Sequence, residues 1–296
     1  MLWAVKRIYV LPIGLLAAQC APAPSRPPIT GIEYVRISAR DPAASQRFYT
    51  QEIRLPEAPC PRPDCARYQV GPDQYIEVVK ATDDTDGLRA IGFRTTDAER
   101  LRSYLAAHHV SVPVSVSQDQ DGSREFDVID AEGHHVAFVQ PKAPADRQGA
   151  ISHRLIHVGF VVQDTAHMDS LYRDVLGFRP YWHGGMQPGR TDWVSLQVPD
   201  GRDWLEYMLH VAPDANHHTL GVMNHFSLGV ENMDSTEALL EATGWTPHGE
   251  EHKQMGLDGK YQLNVFDPDD VRVEFMAFTP SQAPCCSPFT GPHPTP

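Results

Sequence analysis

The sequence predicts an α+β protein built from four copies of one strand–helix–strands module, grouped in pairs as two domains. Three observations carry that expectation. His157 and Glu206 stand at the same interval as His225 and Glu274 (206 − 157 = 49; 274 − 225 = 49), and the second pair follows the first by 68 residues. A spacing reproduced in this way reads as a duplicated unit with one marked residue on its first strand and one on its last. Segments of period-two alternation are each followed by a stretch of helical periodicity and then by further strands. A chain of 296 residues, 41% hydrophobic and 21% charged, is long enough for two ordinary cores and has the composition of a globular protein.

The first 23 residues read as an export leader. Lys6 and Arg7 precede an apolar run over 8–18, too short to span a bilayer. The segment Leu16-Ala17-Ala18-Gln19-Cys20 has the plan of a lipoprotein cleavage box, with Cys20 as the lipidated residue, although Gln19 stands where a small residue is expected. Cleavage near Ala23 of a simple secretory signal is the alternative. The expected location is therefore exported, periplasmic or lipid-anchored, with cytoplasmic as the remaining option.

The N-terminal domain is expected over 30–141. Its first module has strands over 31–38 and 74–80 around a helix over 43–52, and its second has strands over 90–94, 125–129 and 135–140 with a helix over 98–108. Pro- and Ala-rich residues 142–150 form the linker. The C-terminal domain, 151–280, holds the clearest copy. Residues 155–162 alternate, with His157, Gly159 and Val161 on one face and Ile156, Val158 and Phe160 on the other. Asp164 or Thr165 caps the next helix, whose Met168, Leu171, Tyr172, Val175 and Leu176 make one apolar stripe, and Gly177 stops it. Strands follow over 191–198 and 203–211. The fourth module repeats the plan with strands over 224–230, 260–266 and 271–278, a helix over 234–242, and a turn at Asp267-Pro268-Asp269-Asp270. The Pro-rich residues 281–296 are expected to be a loosely packed extension.

The formal charge of −13 argues against nucleic acid and anionic membrane surfaces as partners, because both need a basic face. A small-molecule substrate fits better, with a lipid anchor as the one membrane attachment. Of the five cysteines, Cys60 and Cys65 flank a Pro-rich loop and can close a small disulfide, whereas a bridge between adjacent Cys285 and Cys286 would be strained. None has the spacing of a thiolate metal site.

Two imidazoles and two carboxylates can complete a divalent-metal site if the last two modules face each other. His157, Glu206, His225 and Glu274 are thus the candidate ligands. The corresponding N-terminal positions are Tyr34, Glu77, Ala90 and Ala137, and alanine cannot ligate, so that half is expected to be metal-free. His108, His109, His134 and His135 read as surface or satisfied core residues, Trp193 and Trp204 as core, and Glu77 as structural.

The repeats Ile32-Glu33-Tyr34-Val35 and Ile156-His157-Val158-Gly159 bring the chain to a known family, together with the run Leu171-Tyr172-Arg173-Asp174-Val175-Leu176-Gly177-Phe178 and the ending Asp267-Pro268-Asp269 to Glu274. They resemble the vicinal oxygen chelate superfamily, which includes glyoxalase I, bleomycin-resistance proteins and extradiol dioxygenases. The resemblance covers roughly 30–280. It implies that paired βαβββ modules curl into cupped mixed sheets, with ligands pointing into the cup. The four candidate ligands occupy all four metal positions of glyoxalase I. Extradiol dioxygenases use three of them, matching His157, His225 and Glu274, around iron(II), and also pair a vacant first domain with a metal-bearing second. Asn264 stands where a dioxygenase tyrosine is usual, and His217-His218-Thr219 resembles a dioxygenase segment with an acid–base histidine.

The expected chemistry is accordingly a glyoxalase-like lyase or isomerase. Its divalent ion (nickel, zinc, cobalt or iron(II)) would stabilise an enolate or enediolate, with Glu206 or Glu274 as the base. An iron(II) ring-cleaving dioxygenase is the alternative, and a metal-free binding or resistance protein stands behind both. Met208 and His210 share the face of Glu206; His183, Arg190, His210 and His218 are the candidate pocket residues, and Tyr181 and Trp182 are placed to cover the site. Because both halves of the site lie in one chain, the sequence allows a monomer as well as a homodimer.

Overall fold

A computed structural model describes residues 25–62, 64–82, 87–142, 148–247 and 252–296. The expected export leader and most of the expected linker lie outside the described residues. Two eight-stranded mixed sheets with one topology make up the protein. The first contains β1 (Ile29–Ala39), β2 (Glu57–Ala58), β3 (Cys65–Gly71), β4 (Gln74–Lys80), β5 (Gly87–Thr95), β6 (Ser117–Gln118), β7 (Arg124–Ile129) and β8 (His135–Gln140), in the order 2-3-4-1-5-8-7-6. The second contains β9 (Arg154–Val161), β10 (Arg179–Gly184), β11 (Trp193–Gln197), β12 (Trp204–Met208), β13 (His225–Val230), β14 (Gln254–Met255), β15 (Tyr261–Phe266) and β16 (Arg272–Ala277), in the order 10-11-12-9-13-16-15-14. The two orders are identical, so the duplication expected from the residue spacing is a duplication of topology.

Register carries the equivalence to single residues. His157 pairs with Trp204 and Ser227, while Tyr34 pairs with Tyr75 and Gly92. Glu206 lies two residues beyond Trp204, and Glu77 two beyond Tyr75. Ser227 pairs with Glu274, and Gly92 with Ala137. Tyr34, Glu77, Ala90 and Ala137 therefore occupy the places of His157, Glu206, His225 and Glu274.

The helices form where caps and apolar stripes ask for them. α1 (Pro42–Arg47) starts with the Asp41 side chain accepting from the Ala43 and Ala44 amides and widens into a π turn over Phe48–Glu52. α2 (Ala98–Ala107) buries Leu101 and Leu105 under an Asp97 cap. α3 (Thr165–Asp169) is capped by Asp164 and also widens, over Ser170–Val175, burying Met168, Leu171 and Tyr172. α4 (His217–Met223) and α5 (Met233–Glu241) are capped by Asn216 and Asn232.

Each domain's last hairpin grips the other domain. The Tyr49 hydroxyl donates to Asp267 Oδ2 at 3.0 Å, and the Tyr172 hydroxyl donates to Asp130 Oδ2 at the same distance. Glu132 accepts from the Gln163 and Asp164 amides, and Asp269 from the Arg40 amide. Between the two central strands, buried Gln74 donates to the Ile32 and Leu155 carbonyls and accepts from the Leu155 amide. A buried amide side chain satisfied on both sides rigidifies the junction.

The expectation for the tail is corrected. Residues 284–293 lie against the second sheet: Thr290 donates to the Tyr181 carbonyl, Phe289 packs on the Tyr181 ring, and Tyr181 Oη lies 2.5 Å from His293 Nδ1. Proline content marks this segment as non-helical but not as unpacked, because Phe289 supplies apolar area and side chains such as Gln197 satisfy its backbone. Cys285 is disulfide-bonded to its neighbour Cys286, and Cys60 to Cys65.

Candidate metal centre

The central strands β9 and β13 run antiparallel, each flanked by a parallel partner, so the inward positions of four strands converge. His157 and His225 Nε2 atoms are 3.1 Å apart, and Glu274 Oε2 is 3.3 Å from His157 Nε2. One ligand atom from each of these three residues falls within 4.8 Å of the other two, and all three side chains are buried. Glu206 is set apart from this trio. Its Oε2 is 3.8 Å from His225 Nε2, and its Oε1 accepts from Ser195 Oγ at 3.0 Å, the hydroxyl of its cross-strand partner.

Several features fit this set to a cation. His225 Nδ1 lies 3.0 Å from the Met223 carbonyl, so it carries the proton and leaves Nε2 as a lone pair aimed at His157. Burial lowers both imidazole pKa values well below the usual histidine range, favouring the neutral ligand form. Burial pushes Glu206 and Glu274 up to about 7, so a cation that restores their charge is favoured. Glu274 Oε2 has no hydrogen-bond partner among the described residues. Trp204 stacks on the His157 ring at 4.6 Å and fixes its plane. Gly159 is required here, since a Cβ at that position would lie 2.2 Å from His225 Cε1.

Residues 154–275 match the sequence model of the Glyoxalase/Bleomycin resistance protein/Dioxygenase superfamily. The matched stretch holds His157, Glu206, His225 and Glu274. A comparison with curated proteins found no match. Among solved structures, the chain is similar to homoprotocatechuate 2,3-dioxygenase from Brevibacterium fuscum in its anaerobic complex with 3,4-dihydroxyphenylacetate. That likeness has 18% identity, 91% of this chain and 84% of the other covered, and a TM-score of 0.64. The enzyme of the same name from Arthrobacter globiformis is similar at 17% identity, with 88% and 84% covered and a TM-score of 0.63. At such identities the likeness is one of fold, and it extends over both domains.

Beside the trio lies a cavity of about 360 Å³. Glu206, Asp258, Glu274 and Arg272 are its charged lining, Met208 joins them, and Tyr181, Trp182, Trp193, Trp204 and Phe289 are its aromatic walls. The candidate pocket histidines and arginine are elsewhere. His183 is exposed on β10, where strand alternation turns it away from Trp182. His210 follows the end of β12 with a positive φ of 62°, which breaks the alternation that Met208 obeys; it joins exposed Arg190 on Asp192. His218 sits on α4 near Asp270 and over Phe266, away from the cavity. Trp204, read from sequence as core, is buried in a hydrophobic cluster against which Trp193 packs, and both also line the cavity. Arg272 and Phe289 were missed. The two-residue spacing of Arg272 and Glu274 on one strand was the available signal for the first; nothing local marked the second.

Proposed function

We propose that the protein is an iron(II)-dependent dioxygenase of the extradiol type, cleaving the ring of an aromatic vicinal diol. The observation that carries this reading is the separation of the four candidate ligands into a two-histidine, one-carboxylate trio and a free-standing Glu206. Such a trio on one face of a metal is the ligand set of non-haem iron oxygenases. The fold likeness to the two dioxygenases supports it, and so does the aromatic cavity. The lyase or isomerase reading required Glu206 as a fourth ligand.

His157, His225 and Glu274 would hold the metal, which would supply Lewis-acid and one-electron redox chemistry there. Glu206 then has the position of a general base: its Oε2 is beside the trio, and the Ser195 hydroxyl holds its other oxygen. Largely shielded from solvent and with its pKa pushed up to about 7, chiefly by burial, it can take a hydroxyl proton from the substrate as the ring docks. The Trp204 face orients His157, and the aromatic walls exclude bulk water from the site. The test is elemental analysis of anaerobically purified protein together with oxygen uptake on a catechol panel. Iron with oxygen-consuming, ring-opening turnover is expected. Nickel or zinc with oxygen-independent turnover would overturn the proposal in favour of isomerase chemistry.

A further inference from the structure

Arg272 faces the cavity two residues before Glu274 on β16 and makes no hydrogen bond or ion pair among the described residues, its Nε being buried without a partner. Two residues of strand separate the two inward side chains by roughly 7 Å at their backbones, about the length of a substituted benzene ring. The charges of the site make this guanidinium the odd one out. A divalent cation held by the trio would balance Glu206 and Glu274, the two carboxylates whose charge Arg272 otherwise feels. Lys260, buried behind Trp204 with its Nζ 4.4 Å from that ring centre, has Asp258 Oδ2 at 4.0 Å as its counter-charge. The imidazole ligands are neutral. Arg272 is left with a positive charge in a desolvated place, a costly arrangement unless something supplies the anion.

We infer that Arg272 is the receptor for a carboxylate carried by the substrate on the side of its ring away from the metal-binding oxygens. A planar fork of N–H donors matches a carboxylate in bidentate geometry, which a neutral substituent cannot use. The aromatic walls at Tyr181, Trp193, Trp204 and Phe289 take the ring between the two polar ends. The substrate class becomes an aromatic vicinal diol with an anionic side chain. The diol part rests on the function proposed above; the carboxylate part rests on Arg272 and on a cation held by the trio.

Tryptophan fluorescence reads binding directly, because Trp182, Trp193 and Trp204 line the cavity. Full-length iron(II)-loaded protein is titrated anaerobically with 3-(3,4-dihydroxyphenyl)propionate and with neutral 4-propylcatechol, and metal-free protein with 3-phenylpropionate. The wild type is expected to prefer the carboxylated diol by at least about tenfold. Arg272→Gln should weaken that probe about 10–100-fold, as loss of a charged hydrogen-bonded pair does, and 4-propylcatechol by less than about threefold. Arg272→Lys should recover part of the loss. Absence of any preference in the wild type overturns the inference, as does an equal loss for both diols in Arg272→Gln, which would assign the guanidinium to the ring oxygens. Should Arg272→Gln fail to fold, the wild-type preference and Arg272→Lys decide. Binding of 3-phenylpropionate that depends on Arg272, in protein that cleaves no diol, would keep the subsite and remove the dioxygenase. Diol cleavage without the preference would do the reverse.

Discussion

Replacing Glu206 by glutamine separates a three-ligand from a four-ligand centre. In the structure its carboxylate approaches only one member of the trio, at 3.8 Å, and is engaged by Ser195 at 3.0 Å, whereas His157, His225 and Glu274 share a common region. Glu206→Gln keeps the shape and the Ser195 contact but removes the capacity to take a proton. Loss of a general base costs about 10²–10⁴-fold in kcat. Metal content should stay near one per chain in Glu206→Gln and fall steeply in Glu274→Gln and His157→Ala, since each of those removes a ligand from the trio. The assay pairs metal quantification after dialysis against a chelator with oxygen uptake at saturating diol. If Glu206→Gln sheds metal as readily as Glu274→Gln, Glu206 is a ligand and the reasoning fails. If it keeps both metal and full turnover, Glu206 is not the base.

Three other outcomes follow from the geometry. Gly159→Ala drives a methyl into the His225 ring and should abolish metal retention while leaving the far-ultraviolet circular dichroism of the chain unchanged. Tyr49→Phe leaves Asp267 Oδ2 without its hydroxyl donor at the domain junction and should cost about 1–3 kcal/mol in chemical denaturation, whereas Asp130 Oδ2 keeps His134 Nδ1 at 2.9 Å, so Tyr172→Phe should cost less. Asp267 is pushed up to about 6, chiefly by burial, so folding favours its protonated form. The stability it lends is complete below the unfolded value near 4 and is lost as pH rises through 6. That amounts to at most about 3 kcal/mol, which Asp267→Asn should remove from a pH series of unfolding midpoints.

The module plan was legible because two kinds of signal agreed: the 49-residue interval and the periodicity around it. The helix stripe through Met168, Leu171 and Tyr172 was readable because burial of one face imposes a period, whereas the strand carrying His157 is buried on both faces and was marked by the residue interval. The pocket was far less legible. His183, Arg190, His210 and His218 were chosen by chemistry and chain proximity, but proximity along a strand says nothing once a left-handed residue such as His210 resets the facing. Phe289 reaches the cavity through a return of the chain from outside the repeat, and a tertiary return leaves no local pattern.

The first sheet shows what the second would be without its glycine. Register sets Arg36 opposite Glu77 and Ala90, as Gly159 is set opposite Glu206 and His225. With alanine in place of the histidine, the space that Gly159 must leave open is free, and the Arg36 side chain fills it. Its Nε donates to Glu77 at 2.6 Å and its Nη2 to the Tyr34 hydroxyl at 3.1 Å. Arg62 and Arg67 add further pairs to the same buried carboxylate. A fixed guanidinium cluster thus supplies the positive charge that the other cup would draw from an exchangeable cation. Such a pairing satisfies a buried glutamate permanently but offers no open coordination position. On this reasoning the two cups differ in chemistry through a coupled change at two facing positions, Gly159 with His225 against Arg36 with Ala90. Restoring histidine at 90 alone would set an imidazole against Arg36 rather than create a second centre.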